Sequence, residues 1–161
     1  MQDGRRRDAV PETAKRVSGR EDAKPESQDK EPADVTIRAL HVRYIVAGNP
    51  NTPAEILCRL AHDPLYSVRR RVAENPRTPV LTLVDLARDE NVDVRLAVAE
   101  NRNAPEHVLA ELAVDEDVDV RYGLAENSCQ PEEILKTLAE DENPYVACRA
   151  RRTLERIESL K

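Results

Sequence analysis

Arginine and aspartate recur in two columns of this chain, with each member 26 residues from the next. These columns could form a ligand-binding ladder, but a structural role explains them better. An aspartate at the start of a helix accepts free N–H groups and suits the positive end of the helix dipole. An arginine one turn later can bridge to the aspartate or carbonyl groups of the adjacent unit. The columns, which we expect to join consecutive units, comprise Arg43, Arg69, Arg95 and Arg121 together with Asp63, Asp89, Asp115 and Asp141.

The residue types that catalyse reactions or bind metals form no recognisable set. The chain has three cysteines, and neither these nor the three histidines share a close spacing, which is more typical of reduced thiols than of a disulfide framework or a metal site. There is no serine, histidine and aspartate order of a hydrolase, no P-loop and no dinucleotide-binding glycine motif. We expect no catalytic residue, cofactor, metal or small-molecule ligand. Cys58, Cys129 and Cys148 are interpreted as buried or incidental thiols.

The elements that carry the columns repeat with the same period. The segment ENPRTP at 74–79 returns as ENRNAP at 100–105 and ENSCQP at 126–131, and GNPNTP stands at 48–53. Within each unit, leucines and alanine spaced i, i+3, i+4 predict a first helix, and a following cluster spaced i, i+4, i+5 predicts a short second helix. Helices of about ten residues are marginal alone in water, so they must stack on neighbouring units. The pattern predicts an all-α fold, a short α-solenoid of about four and a half 26-residue repeats.

The turns between units contain residues suited to ending and starting helices. Each unit begins with a proline, which fits the first position of a helix because no hydrogen bond is lost there. Thr52 and Thr78 are predicted to be N-caps before two of these prolines. An asparagine at the end of each second helix is predicted to be a left-handed C-cap whose amide satisfies free carbonyl groups. These turn caps are Asn49, Asn75, Asn101 and Asn127.

The same pattern divides the chain into a tail and a repeat region. Residues 1–34 carry eight basic and nine acidic side chains and almost no apolar ones, so we predict a disordered, charged tail. Leu154, Ile157 and Leu160 extend the last repeat beyond its turn, which predicts a capping helix at the C-terminus. The predicted parts are the tail at 1–34, a half repeat at 35–52, full repeats at 53–78, 79–104, 105–130 and 131–156, and the capping helix at 145–161.

The repeat wording resembles a known family. NPNTPAEILCRLAHDPLYSVRRRVAE and NPRTPVLTLVDLARDENVDVRLAVAE are similar to leucine-rich repeat variant (LRV) units, and the aspartate, valine and arginine spacing is similar to that of HEAT repeats. The resemblance implies a right-handed superhelix in which the second helix is short and partly 3₁₀. One family member holds an iron–sulfur cluster in a cysteine motif ahead of its repeats. Residues 1–57 here contain no cysteine, so the resemblance implies the scaffold and not the cofactor.

Charge is distributed unevenly along the repeats. The whole chain has a formal charge of −6. Residues 35–78 contain seven basic and three acidic side chains, whereas residues 105–130 contain one basic and seven acidic side chains. Such polarity can orient a protein partner or favour head-to-tail self-association, or it can be sequence drift on a solvated surface. The candidate partner-binding residues at the basic end are Arg59, Arg70, Arg71 and Arg77.

These features favour a non-catalytic scaffold or adaptor that binds a protein partner. One alternative is a HEAT-like module that binds nucleic acid, against which stand the net acidity and the lack of Trp and Phe to stack on bases. The other, from family likeness alone, is an accessory protein of an iron–sulfur or other metalloenzyme. The sequence has no secretory signal or membrane span, so we expect a cytoplasmic protein without a membrane partner.

Overall fold

The computed structural model describes residues 32–160, with side chains from residue 38 onward. The predicted disordered tail lies outside these residues except for 32–34, which belong to the first helix. The described part of the chain contains nine α-helices and no strand, as the predicted all-α solenoid requires. The helices are α1 (Pro32–Gly48), α2 (Ala54–Leu60), α3 (Tyr66–Glu74), α4 (Val80–Leu86), α5 (Val92–Glu100), α6 (Glu106–Leu112), α7 (Val118–Glu126), α8 (Glu132–Ala139) and α9 (Pro144–Glu158).

The helices form two layers. The odd-numbered helices pack side by side in chain order, and we call them the odd layer. The even-numbered helices, the even layer, pack mainly on the odd helices that precede and follow them in the chain. Leu57, Leu83 and Leu135 of the even layer and Val68 and Val94 of the odd layer are at most 1% exposed. The predicted leucine and valine clusters therefore meet in one continuous core between the layers.

The second helix of each repeat is short, as predicted, but in the first three repeats it is longer than the first helix. Helices α3, α5 and α7 have nine residues and are α-helical throughout, whereas α2, α4 and α6 have only seven. The 3₁₀ character expected of the second helix is therefore wrong, and the first helix is the shorter of the two. The first helix ends early because Asp89 N–H bonds to Leu86 O, three residues back, and the Asp89 carboxylate then accepts the N–H of Asn91. This tight turn stops the even helix as soon as its core leucine is in place.

The repeat prolines lie one position earlier than predicted. Pro79 is the N-cap residue of α4, with φ −60° and ψ 146°, and Val80 is the first helical residue. Pro53, Pro105 and Pro131 occupy the same position before their helices. The N-cap carbonyl already accepts a helical hydrogen bond, here from Leu83 N–H at 3.0 Å, and an N-cap needs no N–H of its own.

The two threonines before these prolines close the preceding helix instead of capping the next one. Thr78 Oγ1 donates to Val72 O at 2.5 Å, and Thr52 Oγ1 donates to Val46 O at 2.6 Å. No side-chain hydrogen bond caps α2 or α4. Their predicted role as N-caps is therefore wrong, because the free carbonyl groups at the end of the odd helix lie within reach of the hydroxyl.

The turn asparagines have extended backbones and not the predicted left-handed conformation. Asn101 has φ −75° and ψ 124°, and its amide reaches back to the previous repeat, donating to Ala73 O at 2.6 Å and to Asn75 O at 3.1 Å. Asn75 makes the equivalent bonds to Ala47 O and Asn49 O. Asn75 and Asn101 therefore each tie two repeats together and do not only cap their own helices.

The asparagine link is replaced in the last repeats. Asn127 accepts the N–H of Cys129, and the bond to the earlier repeat comes from Gln130 Nε2, which donates to Ala99 O at 2.8 Å. Thr153 Oγ1 then donates to Ala125 O at 2.7 Å. Different side chains satisfy the same carbonyl position from repeat to repeat, so the requirement belongs to the stack and not to asparagine.

The last helix closes the C-terminal end of the solenoid. Helix α9 has 15 residues and packs against both α7 and α8. Val146 and Ala150 are buried and Leu154 packs against the core, whereas Leu160 is 82% exposed. The predicted apolar face of this helix therefore ends before Leu160.

The arginine and aspartate columns form a ladder between repeats. Arg95 Nε and Nη2 donate to the two carboxylate oxygens of Asp115 in the next repeat at 2.8 and 3.0 Å, while Nη1 donates to Asp89 O of its own repeat at 2.9 Å. Arg69 with Asp89 and Arg121 with Asp141 make the same contacts. At the N-terminal end, an ion pair of 2.6 Å joins Arg43 and Asp63. The aspartates bond the N–H two residues later, which belongs to the N-cap residue, and not the first-turn N–H groups as predicted.

Replacing one partner of a ladder pair should destabilise the whole stack. The side chains of Arg95 and Asp115 are only 10% and 9% exposed, so Arg95→Ala leaves a carboxylate buried without its counter-charge. We expect a loss of about 3 kcal/mol in the free energy of unfolding, measured by urea denaturation. Arg88→Ala is the control, because Arg88 also bonds an acidic residue of the next repeat, Glu111, but both side chains are exposed. Equal stability of the two variants would contradict the structural role of the ladder.

The ladder should also make stability depend on acid pH. Burial alone would raise the pKa of Asp89, but hydrogen bonds from Arg69 and the Asn91 N–H outweigh it and hold the pKa below its ordinary value of 3.8. A depressed pKa stabilises the fold above the ordinary value and loses that contribution as pH falls. The urea midpoint should therefore drop between about pH 5 and about pH 3. Asp89→Asn should lower the midpoint and reduce its pH dependence, whereas Asp85→Asn, on an exposed side chain, should leave the dependence unchanged.

Candidate functional site

The four tyrosines of the chain, which are its only aromatic residues besides histidine, are all exposed. Tyr44 on α1 is 41% exposed, Tyr66 on α3 is 47%, Tyr122 on α7 is 38% and Tyr145 on α9 is 78%. All four helices belong to the odd layer. Folding normally buries most of an aromatic ring, so four exposed rings confined to one layer are a distinctive feature of this chain.

The repeat register places these rings on one face. Tyr44 and Tyr122 occupy the same position of the repeat, three units apart, and Arg70 and Leu96 occupy it in the units between. Tyr66 lies one helical turn before Arg70, on the side of α3 opposite its buried valines. Tyr145 lies nearly one turn before the same position in α9. We call this outer surface of the odd layer the tyrosine face.

Apolar side chains continue the tyrosine face across its centre. Val92 and Leu96 on α5 are partly exposed, and Val118 on α7 is 37% exposed. Leu96 lies against Gly123 of α7, in space that a side chain at residue 123 would fill. The absence of a Cβ at Gly123 therefore lets the Leu96 side chain of α5 approach the backbone of α7, next to Tyr122 in the sequence.

The centre of the tyrosine face is acidic. Helices α5 and α7 each contain one arginine, and both arginines are buried in the ladder. Asp93 and Glu100 of α5 and Asp119 and Glu126 of α7 lie on the side facing away from the core, and Asp93 is the least exposed of them. The central two repeats therefore present carboxylates around an apolar strip, with no exposed basic side chain on either helix.

The N-terminal end of the tyrosine face holds two arginines that are already paired. Arg70 Nε donates to one carboxylate oxygen of Glu74 at 2.9 Å, and Arg71 Nη1 donates to the other at 2.8 Å. The hydrogen bond to Glu74 raises the pKa of Arg71 above its ordinary value, with a smaller contribution from Tyr44. Together with Tyr66, these residues line a cavity of about 170 Å³.

The four predicted partner-binding arginines lie on different elements. Arg70 and Arg71 lie on the tyrosine face, but Arg59 is on α2 in the even layer and Arg77 is in the turn after α3. The role of all four arginines in partner binding stays a prediction. The tyrosine face itself was missed, although the 26-residue register of Tyr44 and Tyr122 is visible in the sequence.

The cysteines are exposed, which rules out buried thiols and leaves the other predicted alternative, incidental thiols. Cys58 is on α2, where its Sγ lies 3.2 Å from Thr82 Oγ1, while Cys129 is in a turn and Cys148 is on α9. Within residues 32–160, no three histidine, cysteine, aspartate or glutamate side chains converge in a way that could hold a metal ion. The three thiols therefore stand as separate surface residues.

Comparison with known families identifies the repeats. The model of the leucine-rich repeat variant family matches residues 40–65 and 92–117. Two repeats of this chain are therefore similar to LRV units. Each match spans one 26-residue period, and the HEAT-like pairing of helices is consistent with LRV architecture. LRV repeats are helical repeat modules that often serve in protein interaction.

No curated protein and no solved structure matches the chain. None of the helices within residues 32–160 is long and apolar enough to cross a membrane.

Intrinsic fluorescence should report directly on the tyrosine face. The chain has no Trp, so the four exposed tyrosines are its fluorophores. We expect the ratio of unquenched to quenched fluorescence to rise linearly with acrylamide concentration, with a slope below that of free N-acetyltyrosinamide because three of the four tyrosines are less than half exposed. The same titration in denaturant gives the fully exposed reference for this chain. A downward-curving plot for the folded protein would reveal a protected group of tyrosines and would contradict the exposed face.

Proposed function

We propose that this LRV protein is a non-catalytic scaffold that binds a protein partner through the tyrosine face. The observation that carries the proposal is the exposure of all four tyrosines on one layer. Tyrosine is enriched in the residues that contribute most to protein interfaces, because its ring buries much area at a small cost in side-chain entropy. The stack gains little from these rings when they are free in water.

The shape of the face favours a macromolecule over a small molecule. Small-molecule sites usually enclose about 300–1,000 Å³ and bury most of the ligand. The cavity between Tyr44 and Tyr66 measures only about 170 Å³. The other described side chains of the face, such as Leu96 and Tyr122, lie on the open outer side of their helices. A broad surface of this kind suits a polypeptide that lies across several repeats.

The charge of the face favours a protein over a nucleic acid. Asp93, Glu100, Asp119 and Glu126 would repel phosphate groups from the centre of the tyrosine face. The basic side chains of the N-terminal end are engaged elsewhere, since Arg70 and Arg71 bond Glu74.

The proposal also includes a cytoplasmic location, in which the three exposed thiols would stay reduced.

Affinity capture from a cell lysate with matched baits tests the proposal. The wild-type chain and Leu81→Ala, which truncates an even-layer side chain that is 79% exposed, should recover the same proteins. The double variant Tyr66→Ala, Tyr122→Ala should recover those proteins at least about tenfold less efficiently, because interface tyrosines often contribute 2 kcal/mol or more. Equal recovery by all three baits would place any binding surface elsewhere and contradict the proposal.

A further bait addresses the predicted basic residues. Reversing Arg70 and Arg71 to glutamate removes both partners of Glu74 at the N-terminal end of the face. Loss of the same proteins that the tyrosine variant loses would show that this end takes part in binding. Unchanged recovery would exclude Arg70 and Arg71 from the binding surface.

A further inference from the structure

The tyrosine face already contains an arginine bound in a defined way. Arg71 lies over the ring of Tyr44, with its guanidinium carbon 5.3 Å from the ring centroid, and donates to Glu74 at 2.8 Å. Gly48 makes room for this side chain, because a Cβ at residue 48 would collide with Arg71 Nε. Tyr44, Glu74 and Gly48 therefore form a site that holds the Arg71 side chain.

Glutamates equivalent to Glu74 recur along the tyrosine face. Those at the N-terminal and C-terminal ends of the face form ion pairs. Glu74 bonds Arg70 and Arg71 of its own helix, and Glu126 bonds Arg149 of α9. Glu100 is the equivalent residue in the repeat between them. Within residues 32–160 it has no ion pair and no side-chain hydrogen bond.

The sequence explains why Glu100 is unpaired. The counterparts of Arg70 and Arg71 on α5 are Leu96 and Ala97, and the counterpart of Arg149 on α7 is Gly123. The positions that supply arginines to Glu74 and Glu126 are therefore occupied by uncharged residues around Glu100.

The fold gains no evident stability from Glu100. It is the last residue of α5, where the negative end of the helix dipole opposes a carboxylate. Asp93 and Asp119 lie in the first turns of α5 and α7, where the dipole favours them, but among the described residues their carboxylates have no basic partner. The centre of the face thus has three carboxylates without counter-charges beside the apolar side chains of Leu96 and Tyr122.

We infer that the centre of the tyrosine face, on α5 and α7, binds a basic segment of the protein partner. Lysine or arginine side chains of that segment pair with Glu100, Asp93 and Asp119, and an adjacent apolar side chain packs on Leu96 and Tyr122. The inference rests on the proposed function and specifies the chemistry of the partner. Charge complementarity selects this occupant, because the segment would supply the cations that Arg71 and Arg149 supply at the two ends.

Selection of peptides from a random twelve-residue phage library on the full chain tests this inference. We first keep the peptides whose binding is lost in Tyr122→Ala, and then compare their composition with that of the unselected library. The expected result is enrichment of lysine and arginine together with aliphatic or aromatic residues. The affinity of these peptides should fall as NaCl rises from about 50 mM to about 500 mM, because exposed charge pairs are screened.

Matched variants then separate specific pairing from general attraction to an acidic protein. Glu100→Gln with Asp119→Asn should weaken a selected synthetic peptide by about tenfold in fluorescence anisotropy. Glu106→Gln with Asp85→Asn makes the same change in charge on the even layer and should leave the affinity within about twofold. Thermal unfolding confirms that both variants remain folded.

The outcomes distinguish the inference from the function on which it rests. Peptides that require Tyr122 but show no excess of lysine or arginine would overturn the basic partner and leave the protein-binding face intact. Equal weakening by the two charge variants would also overturn it. A selection in which no peptide depends on Tyr122 would overturn the proposed face together with the inference.

Discussion

The hydrogen-bonded pair between an arginine and the aspartate of the next repeat is the interaction on which the rest of the structure depends. Arg95 fixes the loop of its own repeat through Asp89 O and the following repeat through Asp115, whose carboxylate in turn holds the N–H of Asp117. The Arg95 side chain thus fixes the loop of its own repeat and the spacing to the next repeat. Through Asp115 it also fixes the start of helix α7. Helices of seven to nine residues do not persist alone, so the ladder and the core must form together. A buried ion pair adds little net stability, but it is costly to leave half-made, which enforces one register between repeats.

Stacking uses only one side of each odd helix and leaves the other side free to vary. In α3 the buried residues are Val68, Arg69, Val72 and Ala73, which face the core and the ladder. The opposite side carries Tyr66, Arg70 and Glu74 in α3, and Val92, Leu96 and Glu100 in α5. Residues that the stack does not need therefore differ from repeat to repeat, and their arrangement determines what the surface can bind.

The sequence was sufficient to predict features that every repeat requires, because a recurring requirement leaves a recurring residue. The helices, the core leucines and valines and the residues of the ladder were predicted in this way. Predictions that depended on backbone geometry within a turn failed: the prolines lie one position earlier, Thr78 bonds backward to Val72, and the asparagines are extended. A helix start that moves by one residue, or a change in one backbone dihedral angle, does not alter the spacing of residues in the sequence. The tyrosine face was missed for another reason, since counting charges along the chain conceals which residues share one surface.

The uneven charge along the chain must be interpreted by separating residues that the stack pairs from residues that it leaves unpaired. Part of the positive charge at residues 35–78 belongs to Arg43 and Arg69 in the ladder, and Arg70 and Arg71 share the carboxylate of Glu74. Charges that are already paired attract a partner only weakly, because binding would have to break one contact to form another. The carboxylates of Asp93, Glu100 and Asp119 have no such contact among the described residues, so their field extends into solvent. In the proposed complex, recognition would therefore depend on the unpaired acidic centre, and the arginines at the two ends of the face show how a glutamate of this face pairs with a cation.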